Sequence, residues 1–403
     1  MKKTLLIIAV VFLYSQNFQQ YKTSEVKEFR SYKTKLEKEF QNYKKTLDDE
    51  FKQYKKELSR YWKNPVLSSK KVFVEYSKDK TTRKKVDFEK GKITIDVIAS
   101  NPAEAELKAK KTLAKLSIET TDRAFENNPV LTRVEKKFKP LGVSSKPGNQ
   151  PIIGDIIYKK PPNADDVKKY VNNSFKQAKI TKKPSKLYKK NVYSITLPLP
   201  NERYIVKARR LKQHVTQKAR RFRLSPALIY AVIETESAYN PMARSSVPAF
   251  GLMQIVPQSA GRDAYEMLYG KPRVLTPGYL YNEQNNILIG SAYLKKLYYD
   301  YFKNIQNPIS RLYLSIAAYN TGAGNVACAF NSTNRDFKGR TLCYRMRGDY
   351  SLAKATGKIN SMSPAEVYET LVKNLRYDEA RNYLKKINFR LKQYFRAIQE
   401  GKI

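Results

Sequence analysis

Glu236 sits where an apolar side chain is expected. Ser225 and Pro226 open a helix, the first as N-cap and the second at the first helical position. The helix reads ALIYAVIETES and stops before Asn240-Pro241. Ile229, Val232 and Ile233 define its buried stripe, and Glu236 falls on that stripe seven, four and three residues further on. Glu234 lies about 200° round the helix and reads as a surface acid. Glu236 also occupies the last turn, at the negative end of the helix dipole. Burial and the dipole both disfavour the carboxylate, so both raise its pKa, which suits a general acid at neutral pH. A buried Glu held by a structural hydrogen bond fits the helix alone at least as well.

Composition narrows the chemistry. The 403-residue chain has one histidine and two cysteines. A His-based metal site, a zinc finger and a Cys–His protease each need more ligands than that. A Ser-His-Asp hydrolase would rest on His214 alone. Carboxylates, hydroxyls, amides and 30 tyrosines remain. No cofactor and no metal are expected.

Blocks downstream of Glu236 turn the reading towards catalysis. They are Glu236-Ser237-x-x-Asn240-Pro241, then Ser245, then Gly251-Leu252-Met253-Gln254-Ile255-x-Pro257, then Ala318-Tyr319-Asn320-x-Gly322-x-Gly324. In order and spacing this set resembles the catalytic domain of the lytic transglycosylases, relatives of goose-type lysozyme. TESAYNPMA, Ala260-Gly261-x-Asp263, YNEQNNILIGSAYL and EARNYL at 379–384 resemble the membrane-bound murein branch of that family. VDFEKGKITIDVIA, further upstream, resembles the N-terminal domain of the same branch. The likeness covers roughly 68–400.

The resemblance implies cleavage of the β-1,4 bond between N-acetylmuramic acid and N-acetylglucosamine in peptidoglycan, leaving a 1,6-anhydromuramic end. One carboxyl suffices. Glu236 would protonate the leaving oxygen, the muramic acetamido oxygen would stabilise the positive centre, and the carboxylate would then take the C6 hydroxyl proton. A two-carboxylate glycosidase would need a partner across the bond, and Asp263, Glu266 and Glu283 are nearest in sequence. Substrate-contact roles implied by position fall to Ser237, Ser245, Met253, Gln254, Tyr319, Asn320, Glu379 and Tyr383. A lysozyme-type hydrolase and a non-catalytic wall-binding scaffold are the alternatives.

The elements that must position these residues form three regions after the N-terminus. Residues 1–16 carry two lysines and then an apolar run from Leu5 to Tyr14, a signal for export that is either cleaved near Ser15 or retained as an anchor. No cysteine follows for lipid attachment, and a periplasmic or outer-membrane-associated location is expected. Export permits a disulfide between Cys328 and Cys343, placed in a polar, loop-like stretch. Residues 17–63 contain an eleven-residue repeat, with Phe29, Phe40 and Phe51, then Tyr32, Tyr43 and Tyr54, then Leu36, Leu47 and Leu58 in register. Eleven residues over three turns keep these positions on one stripe of a long amphipathic helix. Self-association, another protein or a membrane surface could cover it.

Residues 64–200 read as a small α+β domain. Strands are expected at Lys71–Tyr76, Lys85–Phe88, Lys92–Ala99, Ile152–Tyr158 and Asn191–Leu199, and helices after Asn101-Pro102 and over Asn163–Ala178. From 201 to 403 the spacing is helical, giving a mainly α-helical, lysozyme-like catalytic domain. The fold class is α+β. The formal net charge of +42 divides into +23 over 1–200 and +19 over 201–403. Export makes nucleic acid a poor partner for it. Peptidoglycan and an anionic membrane surface are the expected polyanions.

Overall fold

The computed structural model describes residues 34, 37–140 and 142–403. The apolar N-terminal segment lies outside them, as do the repeat units before residue 37 apart from Thr34. The chain divides into two compact units, Met1–Asp49 and Glu50–Ile403. Residues 37–58 are helical (α1). Within the first unit, the Phe40 and Tyr43 rings meet at 6.0 Å. Within the second, Phe51, Tyr54, Leu58 and Trp62 are buried.

The repeat stripe from Phe51 onward is covered by the chain itself. The Arg244 guanidinium stacks over Phe51 at 3.4 Å. Trp62 packs edge-on to Tyr76 at 5.8 Å and donates its indole N–H to the Lys80 carbonyl at 2.8 Å. These four residues therefore need no second copy to bury them.

A five-stranded antiparallel sheet follows, in the order β1-β2-β3-β5-β4. Its strands are β1 (Val72–Tyr76), β2 (Thr82–Asp87), β3 (Lys92–Ala99), β4 (Lys179–Pro184) and β5 (Asn191–Pro198). Gly91, at φ +65°, makes the β2–β3 turn that Glu89-Lys90-Gly91 implies. Ile93, Ile95 and Val97 of β3 are fully buried, and α2 (Pro102–Ser117) packs on that strand. Asn101 caps α2 by accepting from the Glu104 N–H. Asp96 is buried beneath Arg83 at 2.7 Å and Lys85 at 3.0 Å.

Helices α3 (Thr121–Glu126), α4 (Pro129–Phe138), α5 (Gly154–Ile157) and α6 (Ala164–Lys176) complete this region. The strand expected at Ile152–Tyr158 is not formed. The run turns into α5 because Asp155 is drawn to Lys207 at 2.7 Å and Arg210 at 2.8 Å, while Gly154 lies against the Ser117 carbonyl, where a Cβ would stand at 2.9 Å. The edge strand β4 is fully exposed and Lys-rich, so it carries no alternating apolar signal, and its charge guards the edge.

The remaining helices are α7 (Arg203–Phe222), α8 (Pro226–Ser237), α9 (Arg262–Tyr269), α10 (Pro277–Tyr281), α11 (Glu283–Lys295), α12 (Pro308–Thr321), α13 (Ala323–Asn331), α14 (Leu352–Asn360), α15 (Pro364–Asn374) and α16 (Asp378–Gln399). α8 is the centre, packed between α7 and α16. Every residue from Ala227 to Ser237 is buried, so α8 has no solvent face. Ser225 precedes it as expected, but its side chain makes no capping bond. Glu234 is likewise not a surface acid. Its carboxylate accepts from Arg390 Nε at 2.7 Å and from the Tyr394 hydroxyl at 2.6 Å, both on α16.

Cys328 and Cys343 form the expected disulfide, with Cα atoms 6.0 Å apart. Cys328 lies on α13 rather than in a loop. Closing this fifteen-residue separation stabilises by about 3 kcal/mol in the chain-entropy model.

Candidate active site

The site is built around the end of α8. Glu236 is 6 % exposed, in the last turn. The chain then leaves the helix through two successive non-glycine residues in left-handed conformation, Ala238 at φ +51° and Tyr239 at φ +62°. Such strain persists where the surroundings over-determine it. Here Tyr239 is fixed by donating its hydroxyl to Tyr394 at 2.8 Å, inside the network that holds Glu234 to α16. Two carboxyls two residues apart thus have opposite environments. Glu234 is held in a close ion pair with Arg390 at 2.7 Å, while the buried Glu236 carboxyl has Lys70 no nearer than 4.0 Å.

Burial pushes the Glu236 carboxyl up to about 7. The Lys70 ammonium, 4.0 Å from Oε2, opposes that shift, as do Tyr383 and Lys71, while Glu379 adds to it. The Tyr383 hydroxyl lies beside the carboxyl without forming a well-aligned hydrogen bond. Burial also lifts the Tyr319 and Tyr383 phenols well above their ordinary range, and the nearby Glu236 charge adds to both. Both phenols therefore remain neutral donors.

The block after Asn240 forms a tight turn that presents Gln254. Gly251, at φ +75°, permits it. A Cβ there would stand 2.3 Å from Asn286 Nδ2 and 2.4 Å from the Leu280 carbonyl. Asn286 ties the turn together, donating to the Phe250 and Leu280 carbonyls at 2.8 Å each and accepting from the Met253 N–H at 2.7 Å. Gln254 is left-handed, at φ +49°. Its amide nitrogen donates to the Gly251 carbonyl at 3.0 Å, and its amide oxygen is buried with no partner. That oxygen is an acceptor held ready. Tyr319 of α12 joins this turn to Glu236 by donating to the Met253 carbonyl at 2.9 Å.

The sequence-derived residues thus fall into groups. Glu236, Tyr319 and Tyr383 converge, and Gln254 follows Met253, whose carbonyl Tyr319 holds. Asn320 is half-buried beside Tyr319 near the end of α12. Glu379 stands at the exposed start of α16 and pairs with Lys70 at 3.1 Å. Met253 contributes its backbone, because its side chain is fully buried against Gly290. Ser237 is buried and donates back to the Ile233 carbonyl at 2.9 Å. Ser245 turns its hydroxyl to the Val247 carbonyl in its own loop.

Of the acids nearest in sequence, Glu283 and Asp263 are committed elsewhere. Glu283 accepts both Arg210 amino groups, at 2.8 and 2.6 Å, and lies 3.8 Å from His214. Asp263 pairs with Arg262 at 3.1 Å. The carboxylate in the field of Glu236 is instead Glu379. Lys70 is absent from the sequence reading. In a chain with 78 Lys and Arg, nothing marks one lysine ahead of a strand.

Comparison with known proteins places the chain in a family. The family model described as transglycosylase SLT domain matches residues 213–340, which include Glu236, Gln254 and Tyr319. The N-terminal domain of membrane-bound lytic murein transglycosylase C matches residues 40–122. That match starts inside α1, so the likeness reaches further upstream than residue 68. Membrane-bound lytic murein transglycosylase C of Serratia proteamaculans is 31 % identical over 335 residues, covering 82 % of this chain and 84 % of that protein. Its namesake from Edwardsiella ictaluri is 32 % identical over 339 residues, with the same coverage of each chain. Among solved structures, the 70 kDa soluble lytic transglycosylase of Escherichia coli matches with a TM-score of 0.32 at 18 % identity, covering 74 % of this chain and 44 % of that one. On the extent and identity of the sequence matches, the chain belongs to the membrane-bound lytic murein transglycosylase C family.

Proposed function

We propose that this lytic transglycosylase cleaves the N-acetylmuramic acid β-1,4 N-acetylglucosamine bond with Glu236 as both acid and base. The observation that carries this is a buried carboxyl, only 6 % exposed, whose pKa burial lifts to about 7. At neutral pH a large fraction is protonated and can donate to the leaving oxygen. The carboxylate so formed then takes the C6 hydroxyl proton as that oxygen closes on C1, giving the 1,6-anhydro ring. The muramic acetamido oxygen stabilises the positive centre between the two steps, so no second carboxylate is required. Gln254, Tyr319 and Asn320 bind the sugars around the cleaved bond, and Tyr383 steadies the carboxyl of Glu236. Mass spectrometry of muropeptides from digested sacculi tests the reaction. Anhydromuramic ends are expected, and reducing ends would make the enzyme a lysozyme-type hydrolase.

The region 64–200 acts as a binding and positioning domain for a catalytic domain at 201–403. The enzyme works in the periplasm against the wall or an outer membrane, with the repeat before residue 50 as spacer or self-association element. Among the described residues no helix is long and apolar enough to cross a membrane. The net charge of +42, spread over both halves, attracts the anionic wall. Sacculus binding should weaken as salt rises from about 50 mM to 500 mM, because screening shortens the reach of surface charge. Unchanged binding would remove the charge from the account.

A further inference from the structure

Lys70 lies outside the catalytic helices, on the segment between α1 and β1, yet its ammonium reaches the site. It stands 4.0 Å from Glu236 Oε2 and 3.1 Å from Glu379 Oε1. The approach is held by backbone contacts. Asn240, four residues after Glu236, directs its side-chain amide at the Ser69 and Lys70 carbonyls at 3.4 and 3.3 Å. The Arg244 N–H donates to the Ser69 carbonyl at 3.3 Å. Ser69 closes its own turn, its N–H donating to the Val72 carbonyl at 2.8 Å and its hydroxyl accepting from the Val72 N–H at 3.2 Å. The loop that follows the acid therefore grips the segment that returns a cation to it.

We propose that Lys70 is a positioning residue of the catalytic acid, placing a cation against Glu236 and tethering Glu379 at the mouth of the site. This rests on the reading of Glu236 as acid and base. That reading sets one carboxyl two conflicting tasks. It must hold a proton in a buried position before cleavage, and it must exist as a carboxylate in the same position afterwards. Burial favours the first state and penalises the second. A cation at 4.0 Å favours the second.

The groups that face Glu236 are Lys70 and Lys71 from this segment, Glu379 and Tyr383 from α16, and Tyr319 from α12. Lys71 is ion-paired with Glu89. Burial is the largest influence on the Glu236 carboxyl, and Lys70 is the largest that opposes it. Lys70 shares its charge with Glu379, and its side chain is 37 % exposed, so its effect is screened in part.

The test is the pH profile of kcat/KM for release of anhydromuropeptides, measured for wild type, Lys70→Met, Lys70→Arg and Glu236→Gln. Cleavage needs protonated Glu236, so the alkaline limb reports its pKa. In Lys70→Met that limb should move up by about one pH unit. Lys70→Arg should restore the limb to within about 0.3 unit, because the cation is kept. An unmoved limb in Lys70→Met, with Glu236→Gln inactive, overturns the role of Lys70 and leaves the acid in place. Cleavage retained by Glu236→Gln discards the acid and the role of Lys70 together.

Discussion

Replacing Glu236 by Gln should stabilise the protein at alkaline pH and leave it nearly unchanged at acid pH. The side chain is enclosed, and its folded pKa is raised from 4.5 to about 7. Below 4.5 the carboxyl is protonated in folded and unfolded chains alike, and Gln is a close isostere of that neutral form. Between 4.5 and about 7 the unfolded chain releases its proton while the folded chain keeps it, so stability falls as pH rises. Above 7 both forms are charged and the loss is complete. A difference of about 2.5 units at 1.36 kcal/mol each gives roughly 3 kcal/mol at pH 8. Melting entropy of ~2.1 cal/mol/K per residue over residues 50–403 converts this to a Tm about 4 °C higher for Gln than for Glu. Scanning calorimetry from pH 4 to pH 8 on both proteins reads it. A Glu-to-Gln difference that stays flat across that range would show that Glu236 ionises normally, and the acid-base reasoning would fall with it.

Two further substitutions test the scaffold. Gly251→Ala puts a Cβ within 2.4 Å of two atoms at φ +75°, so a loss of about 3 kcal/mol in urea denaturation is expected, and a loss below ~1 kcal/mol would mean the turn relaxes freely. Arg390→Ala leaves the buried Glu234 carboxylate without its cation and Thr235 without its donor, which should cost about 3–5 kcal/mol in the same assay. Wild-type stability in that variant would show that Tyr394 alone satisfies Glu234.

The stripe Ile229, Val232, Ile233 and Glu236 was legible because helical periodicity places those four residues together whatever packs on them. Gly251 was legible as part of a motif block, but not the reason for its glycine, since Asn286 and Leu280 fix the turn from α11 and α10. Glu234 misled for the complementary reason. Angular position predicts solvent only on a helix with a wet face, and the partners that bury it, Arg390 and Tyr394, come from 156 and 160 residues away. Lys70 is the same kind of omission, because its place beside Glu236 is created by Asn240 and Arg244 gripping the Ser69–Lys70 backbone. At Ile152–Tyr158 the apolar run looked like a strand, and the ion pairs of Asp155 decided otherwise. Periodicity reports faces; which face meets a charged neighbour is a tertiary fact.

The most direct test of the account is the rate at which Glu236→Gln releases soluble fragments from purified sacculi, with its fold checked by Tm. Loss of a general acid predicts a fall of at least about a hundredfold, with no 1,6-anhydromuramic ends above background. A folded variant that still releases anhydromuropeptides within a few-fold of the wild-type rate would contradict the assignment of Glu236 outright.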